Sequence, residues 1–448
     1  MQVADRVRTP HHRSMPAVPA IPSRLPARDA EALTACRRGD RRGSRVHLAC
    51  AVAMCLLVSW PTSIVELAGI PLILALLIRI QHTRRLMPGI GVQPHMLIAY
   101  ALAIWLAITL AWSADRSQGL EELGAWRWLW VPIAIWPVIH RRLLLTRVVA
   151  WGFAAGIASQ WLHLIGSQTD LALFSPFVWD RDPARISGWW DPVVGGTLLV
   201  ACLGLHMGLT TIGTRPARLA SAIAAVFVLA SIALTGTRGA MLAAGVMLLL
   251  GPALILARTT LQRRHITAII AAGIGAVVLI AGVWSLHGSA LVERVDDARD
   301  EVRAALDGAP PRGDTAMRVR MAEWAIAGWE QSPVLGQGAG SFRTFSVEAL
   351  QAEGLEPESF TTHDHAHSAI PHALFVGGLP YAALLTAMLW VCVVAGVRTG
   401  NLPAALGILG LCAAGVFDTI QLNAQTMALL FVLIALSPSR PPPTADAL

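Results

Sequence analysis

The sequence predicts an all-α polytopic membrane protein of about 12 transmembrane helices, with one large outward loop containing amphipathic helices. Three observations support this. Hydrophobic residues make up 55% of the 448 and charged ones only 14%, with a mean hydropathy of +0.57, a balance that excludes an ordinary soluble domain of this length. Apolar stretches long enough to enter a bilayer recur along the chain. The basic residues, all of them arginine, cluster in alternate gaps between those stretches, the distribution that orients helices in a membrane. The formal charge of +7 is therefore a topology signal, and no nucleic-acid module is visible.

Residues 1–45 are rich in Pro and Arg and lack an apolar run of signal-peptide length, so they are expected to be a disordered cytoplasmic tail. Arg37, Arg38, Arg41, Arg42 and Arg45 precede the first span and hold this end inside. Transmembrane helices 1–9 occupy 46–285, near 46–61, 64–80, 92–112, 126–139, 143–165, 193–213, 219–235, 239–257 and 266–285. A polar loop follows over 286–368, then helices 10–12 over 369–437, near 369–396, 402–418 and 424–437, and a cytoplasmic tail over 438–448. With the start inside, Arg84/Arg85, Arg141/Arg142, Arg215/Arg218, Arg258/Arg263/Arg264 and Arg398 all fall in cytoplasmic loops. Of the six cysteines, Cys55, Cys202, Cys392 and Cys412 lie inside apolar runs without metal-ligand spacing and are expected to be packing residues.

This topology brings three unusual segments to the outer face: DRDPARISGWWDPVV (180–194), TGTRGA (235–240) and the long loop. Each carries an arginine on the disfavoured side, namely Arg185, Arg238 and Arg320. A single such arginine is as readily a snorkelling or helix-capping residue. Three together suit a pyrophosphate, because guanidinium forks bind phosphate oxygens bidentately and keep their charge.

Within the loop, Leu291, Val295, Ala298, Val302 and Ala305 recur at helical spacing among charged residues, and a second helix is expected over 316–330. There Arg320 and Trp324 are four apart, so the indole can fix the guanidinium by stacking, or anchor the helix at a lipid interface together with Trp329. Gly336, Gly338 and Gly340 mark a turn where the backbone approaches something closely.

The histidines that end the loop admit three readings. His363, His365 and His367 alternate, so an extended segment would point them one way and could hold a metal with Asp364. If a helix begins near His365, then His365, Ser368 and His372 share a face, and Ser368 serves as a structural cap. In the third, an imidazole takes a proton from a sugar hydroxyl near neutral pH as a general base.

These segments resemble the O-antigen ligase and polymerase superfamily of membrane glycosyltransferases, by motif over about 185–380. TGTRGA (235–240) is similar to the family's Ser/Thr-Arg-Gly signature, RMAEWAIAGWEQSPVLGQGAGSF (320–342) to its Arg, Trp, Pro and Gly series, and HAHSAIPHALFVGGLP (365–380) to its His-x-His-Asn helix; RISGWW (185–190) matches more loosely. The resemblance implies an inner-membrane enzyme with a periplasmic loop. It would move a glycan en bloc from undecaprenyl pyrophosphate to an acceptor, the lipid A-core in a ligase, with no metal and no cofactor. It assigns Arg238 and Arg320 to the pyrophosphate, Arg185 to assist, His367 to activate the acceptor hydroxyl and His365 to be its neighbour, with Trp324, Gly336, Gly338, Gly340 and Ser368 in support. Ser368 stands where the family usually has Asn, and Val376 where many members have Glu. The polymerase and the ligase that moves glycans to protein are related alternatives. A secondary transporter is the alternative of another class, but its longest loop would be central and cytoplasmic. A non-enzymatic envelope scaffold is opposed only by the clustering of Arg and His.

Overall fold

The computed structural model describes residues 35, 36, 38–169, 185–257, 292, 296, 297, 299–301, 303, 313–356 and 364–438. Most of the predicted tails, the stretch 266–285 and most of the amphipathic segment 291–305 lie outside them, as does His363. The architecture is all-helical, with no strand among the described residues. In chain order the main helices are α1 (Arg41–Leu57), α2 (Thr62–Ile78), α3 (Pro94–Thr109), α4 (Arg116–Ala125), α5 (Arg142–Gly152), α6 (Ala154–Thr169) and α7 (Pro192–Leu209). After them come α8 (Arg215–Leu234), α9 (Arg238–Leu256), α10 (Asp314–Gln331), α11 (Phe342–Ala352), α12 (Ala369–Arg398), α13 (Leu402–Gly415) and α14 (Ala424–Leu436).

Among the described residues, five helical stretches are long and apolar enough to cross a membrane, six if α2 and the Ile80–Gly91 segment, bent by 72°, form one span. The sequence expects about 12; of those stretches 266–285 lies outside the described residues, 126–139 and 143–165 fall within the one candidate span Arg116–Thr169, and several others form helices too short to cross. The stretch expected at 126–139 is not one helix: it is a 3-10 turn (Trp126–Trp130), a short α-turn (Val131–Ile135) and a second 3-10 turn (Trp136–Arg141). Pro132 and Pro137 lack the N–H that a continuous helix needs. Helices α3, α13 and α14 are apolar but short; the 14 residues of α13 cover about 21 Å at about 1.5 Å per residue, less than a bilayer core of about 30 Å.

Helices α7 and α13 form the centre of the bundle, and α7 is buried on nearly every side. Without a hydrophobic driving force between helices in lipid, close contact depends on small residues. A Cβ at Gly204 would overlap the Leu406 carbonyl, and one at Gly410 the Val200 carbonyl. Leucines on the rim point outward instead, Leu67 of α2 and Leu249 of α9 being 64% and 75% exposed, which suits helices that meet lipid rather than water.

The glycine series and the GGLP motif interlock. Pro380 has no N–H, so the Val376 carbonyl loses its intrahelical donor; the Gly338 N–H donates to it instead at 3.0 Å. The Leu379 N–H, which would have served the Phe375 carbonyl, donates to the Pro333 carbonyl at 2.9 Å, and the Gln337 N–H serves Phe375 at 2.6 Å. Helix α12 therefore breaks at Gly377 and Gly378, where φ at Gly378 is +65°, with its backbone groups satisfied by the turn. Gly336, Gly338 and Gly340 have φ of +71°, +93° and +79°, and a Cβ at each would strike backbone of α12, of the end of α3 and of the start of α4 in turn. What this turn approaches so closely is other protein backbone.

Helix α10 spans the segment expected at 316–330, and α10 and α11 pack back on the bundle through Phe342, Phe345 and Phe375. At the end of the bundle away from these helices, Arg142 donates to the Thr399 carbonyl at 2.6 Å and Arg79 pairs with Asp40 at 2.8 Å.

Candidate active site

Three connections converge at the other end. Segment 185–191 leads into α7, the Thr235–Thr237 turn leads into α9, and the Val416–Asn423 loop joins α13 to α14; α10 and the histidine segment lie against them. Ile186 N–H donates to the Leu234 carbonyl at 2.8 Å, and Gln160 of α6 donates to the Ile186 and Ser231 carbonyls at 2.6 and 2.8 Å. These bonds hold the Arg185 segment against the end of α8.

Arg238 is the first residue of α9 and reaches across to the start of α10, where its guanidinium contacts the Thr315 hydroxyl and lies 3.4 Å from Glu301. Glu301 also accepts from the Thr315 N–H at 2.8 Å, placing a carboxylate at a helix N-terminus that favours negative charge. Arg185 lies 3.8 Å from Asp314, the first residue of the same helix.

Arg318, one turn along α10, donates to the Phe417 carbonyl at 3.2 Å. Burial lowers its pKa, against the opposing charges of Asp418 and Asp314 and with the help of Arg185. Arg185, Arg318 and Asp418 thus share one neighbourhood. Neither Arg318 nor Asp418 is singled out by the sequence. Successive helical residues turn by about 100°, so Arg318 and Arg320 flank opposite sides of the buried stripe Met317, Met321, Trp324, Ala325 and Gly328. The sequence does not say which flank faces the histidines.

Arg320 faces the other way. Its guanidinium is 2.9 Å from Glu323 and 2.9 Å from Glu353 of the α11 C-terminus, and the Trp324 indole N–H donates to the same Glu353 at 3.2 Å. The expected stacking of Trp324 on Arg320 is replaced by a shared carboxylate, because a buried indole N–H needs an acceptor. Arg320 is thus paired with carboxylates of α10 and of the end of α11.

His367 adopts a left-handed backbone with φ +50°, the one positive φ outside glycine among the described residues, a conformation that costs about 1–3 kcal/mol. Its N–H donates to His365 Nδ1 at 3.3 Å, and the two rings lie 4.2 Å apart. His367 Nδ1 is 3.8 Å from Asp418, with the two side chains 9% and 14% exposed; this is longer than a formed hydrogen bond and tightens to one with a movement of about 1 Å. Burial lowers the His367 pKa below the ordinary imidazole value, Asp418 opposes that and Arg318 adds to it. Burial pushes the Asp418 carboxyl up, but contact with His367, the charge of His365 and the Thr419 N–H outweigh it, so Asp418 lies below the ordinary carboxylate range. Burial thus favours the neutral imidazole, with a carboxylate beside it, an arrangement suited to a general base.

Ser368 occupies the position before α12 without making a side-chain cap. Helix α12 starts at Ala369, so His365 is not on it, and Asp364 turns to Arg343 at 3.8 Å. Asp364, a ligand in the metal reading, is thus beside a guanidinium, and His363 lies outside the described residues. His365, His367 and Asp418 do place ligand atoms within 4.8 Å of one another. Arg318, whose charge disfavours protonated His367, disfavours a cation there for the same reason.

No curated protein matches the chain. Residues 223–386, the stretch that carries Arg238, Arg318, Arg320, His365 and His367, match the family model for O-antigen ligase.

Proposed function

We propose that the protein is an O-antigen ligase of the bacterial inner membrane, transferring a glycan from undecaprenyl pyrophosphate to the lipid A-core at the periplasmic face. The supporting observation is the pairing of His367 with Asp418 directly beside Arg318, with Arg185 and Arg238 arrayed round the start of α10. Neutral His367 removes the acceptor hydroxyl proton as the oxygen bonds to the anomeric carbon. The bond from that carbon to the pyrophosphate oxygen breaks, and its electron pair leaves with the phosphate. Fixed guanidinium groups in a partly desolvated site stabilise that developing charge. Arg318 and Arg238 carry this role, Arg185 assists, and Asp418 holds the imidazole. Arg320 ties α10 to α11.

The test is transfer from purified carrier-linked glycan to lipid A-core, with and without EDTA, beside the lipopolysaccharide ladder of a deletion strain. Transfer that persists in EDTA, with core alone and accumulated carrier-linked polymer in the strain, is the expected result. Core bearing one repeat would make the protein the polymerase. Activity lost in EDTA and restored by zinc would convert His365, His367 and Asp418 into a metal site.

A pH profile gives a second check. The base acts deprotonated, so kcat/KM falls as pH drops through the His367 pKa, and the lowered value places that limb below about 6.5. Arg318→Met removes a charge that lowers this pKa and moves the limb of the residual activity to higher pH. Asp418→Asn removes one that raises it and moves the limb to lower pH. Shifts of the same sign in both variants would show that the limb belongs to another group.

A further inference from the structure

Behind the histidine segment lies a second pair of titratable groups that the mechanism above does not use. Glu122 of α4 is buried, and one carboxylate oxygen accepts from the Gly340 N–H at 3.0 Å. The same oxygen is 3.7 Å from His372 Nε2, with the two side chains 3% and 1% exposed. Neither ring nitrogen of His372 has a hydrogen-bond partner among the described residues. The His372 ring stands edge-on to Phe342 of α11 at 6.0 Å and to His365 at 6.4 Å. It therefore sits where the glycine turn, α4 and the histidine segment meet.

We propose that Glu122 and His372 form a buried positioning pair that holds the His365 ring and, through it, the left-handed backbone of His367. The causal order is physical. An L-residue stays in the left-handed region only when its surroundings over-determine it. At His367 the restraints include the His365 ring, which accepts its N–H, and the Asp418 contact. The His365 ring needs a wall, and His372 supplies it; the His372 ring needs a fixed polar neighbour in a buried site, and Glu122 supplies it while also pinning the Gly340 turn. Five groups, Glu122, His372, His365, His367 and Asp418, thus form one row between α4 and the α13–α14 loop. Neither Glu122 nor His372 touches the reacting atoms in this scheme; both act on the base through His365. The pair deepens the general-base reading of His367 and rests on it for its effect on turnover.

The test combines kinetics with diethyl pyrocarbonate modification of each histidine, followed by mass spectrometry on the full-length protein in detergent. In Glu122→Ala, kcat is expected to fall about 10- to 100-fold with donor KM within about threefold, because misplacing a base costs turnover rather than binding. Carbethoxylation of His365 and His367 should quicken about fivefold or more as the segment opens, while exposed His82 at the other end keeps its rate. Glu122→Gln keeps an acceptor for the Gly340 N–H and is expected to recover most of both losses. If Glu122→Ala does not fold, His372→Asn removes the ring contact to His365 from the other side and carries the same readouts. Unchanged modification rates at His365 and His367, or a raised KM with kcat intact, would overturn the pair. Activity of a His367→Ala enzyme would remove the base reading instead, and the modification rates would still decide whether Glu122 and His372 hold the segment.

Discussion

His367→Ala is expected to lower turnover by about 10²–10⁴-fold, the range for removal of a general base, with donor KM changed by less than about threefold. The split follows from the site. In the proposed mechanism binding energy for the pyrophosphate comes from Arg318, Arg238 and Arg185, which have partners of their own apart from the imidazole. Proton removal depends on one ring, kept neutral mainly by burial. Alanine at 367 also relieves little of the backbone strain, since a Cβ remains, so folded protein should be recovered. His365→Ala should cost less, about tenfold, because His365 receives the His367 N–H and supports its ring. Single-turnover transfer with purified donor separates these outcomes. Near-normal turnover in His367→Ala would exclude it as the base.

Arg318→Ala and Arg238→Ala should each reduce transfer about 10²–10³-fold, the cost of losing one fixed charge at a developing anion. Lysine should restore little at either position, because it offers a point charge in place of a planar fork. Arg320→Ala is the contrasting case. Its guanidinium is held by Glu323 and Glu353 at a partly exposed surface, where such pairs contribute about 0–1 kcal/mol. Transfer should therefore stay within about threefold of the parent, with a small loss of thermal stability. Transfer rates for all three alanine variants, normalised to folded protein, decide the assignment. Loss of transfer in Arg320→Ala with full activity in Arg318→Ala would reverse the two roles and require α10 to turn in the working enzyme.

Much of the helical framework is legible in the chain. Composition and apolar periodicity call for helices in a membrane, and α7, α8, α9 and α12 lie close to the stretches expected at 193–213, 219–235, 239–257 and 369–396. These readings depend on local hydropathy, which the sequence states directly. The stretch at 126–139 shows the limit: its residues are largely apolar, but it is divided into short turns, with Pro132 and Pro137 among them. Stretches such as α13 and α14 need not match bilayer thickness, because neighbouring helices bury them on almost all sides.

The site divides in the same way. The residue types, arginines and histidines at the ends of helices, and their concentration in 185–191, 235–240 and 313–368, were present in the sequence alone. Which arginine faces which histidine was not. Arg318 and Arg320 are two residues apart on one helix and were equivalent until α10 docked on α12, which turned one toward the Phe417 carbonyl and the other toward Glu353. Asp418 reads as the end of an apolar run until the α13–α14 loop sets it beside His367. Gly336, Gly338 and Gly340 announced close approach, yet only packing showed that their neighbours are the broken backbone of α12 and the α3–α4 junction. The physical reason is common to all three. Hydropathy and backbone preference act within a few residues, whereas the direction of a side chain is settled by contacts with residues far along the chain, such as Arg318 with Phe417 or Gly340 with Glu122, and those form only when the helices pack.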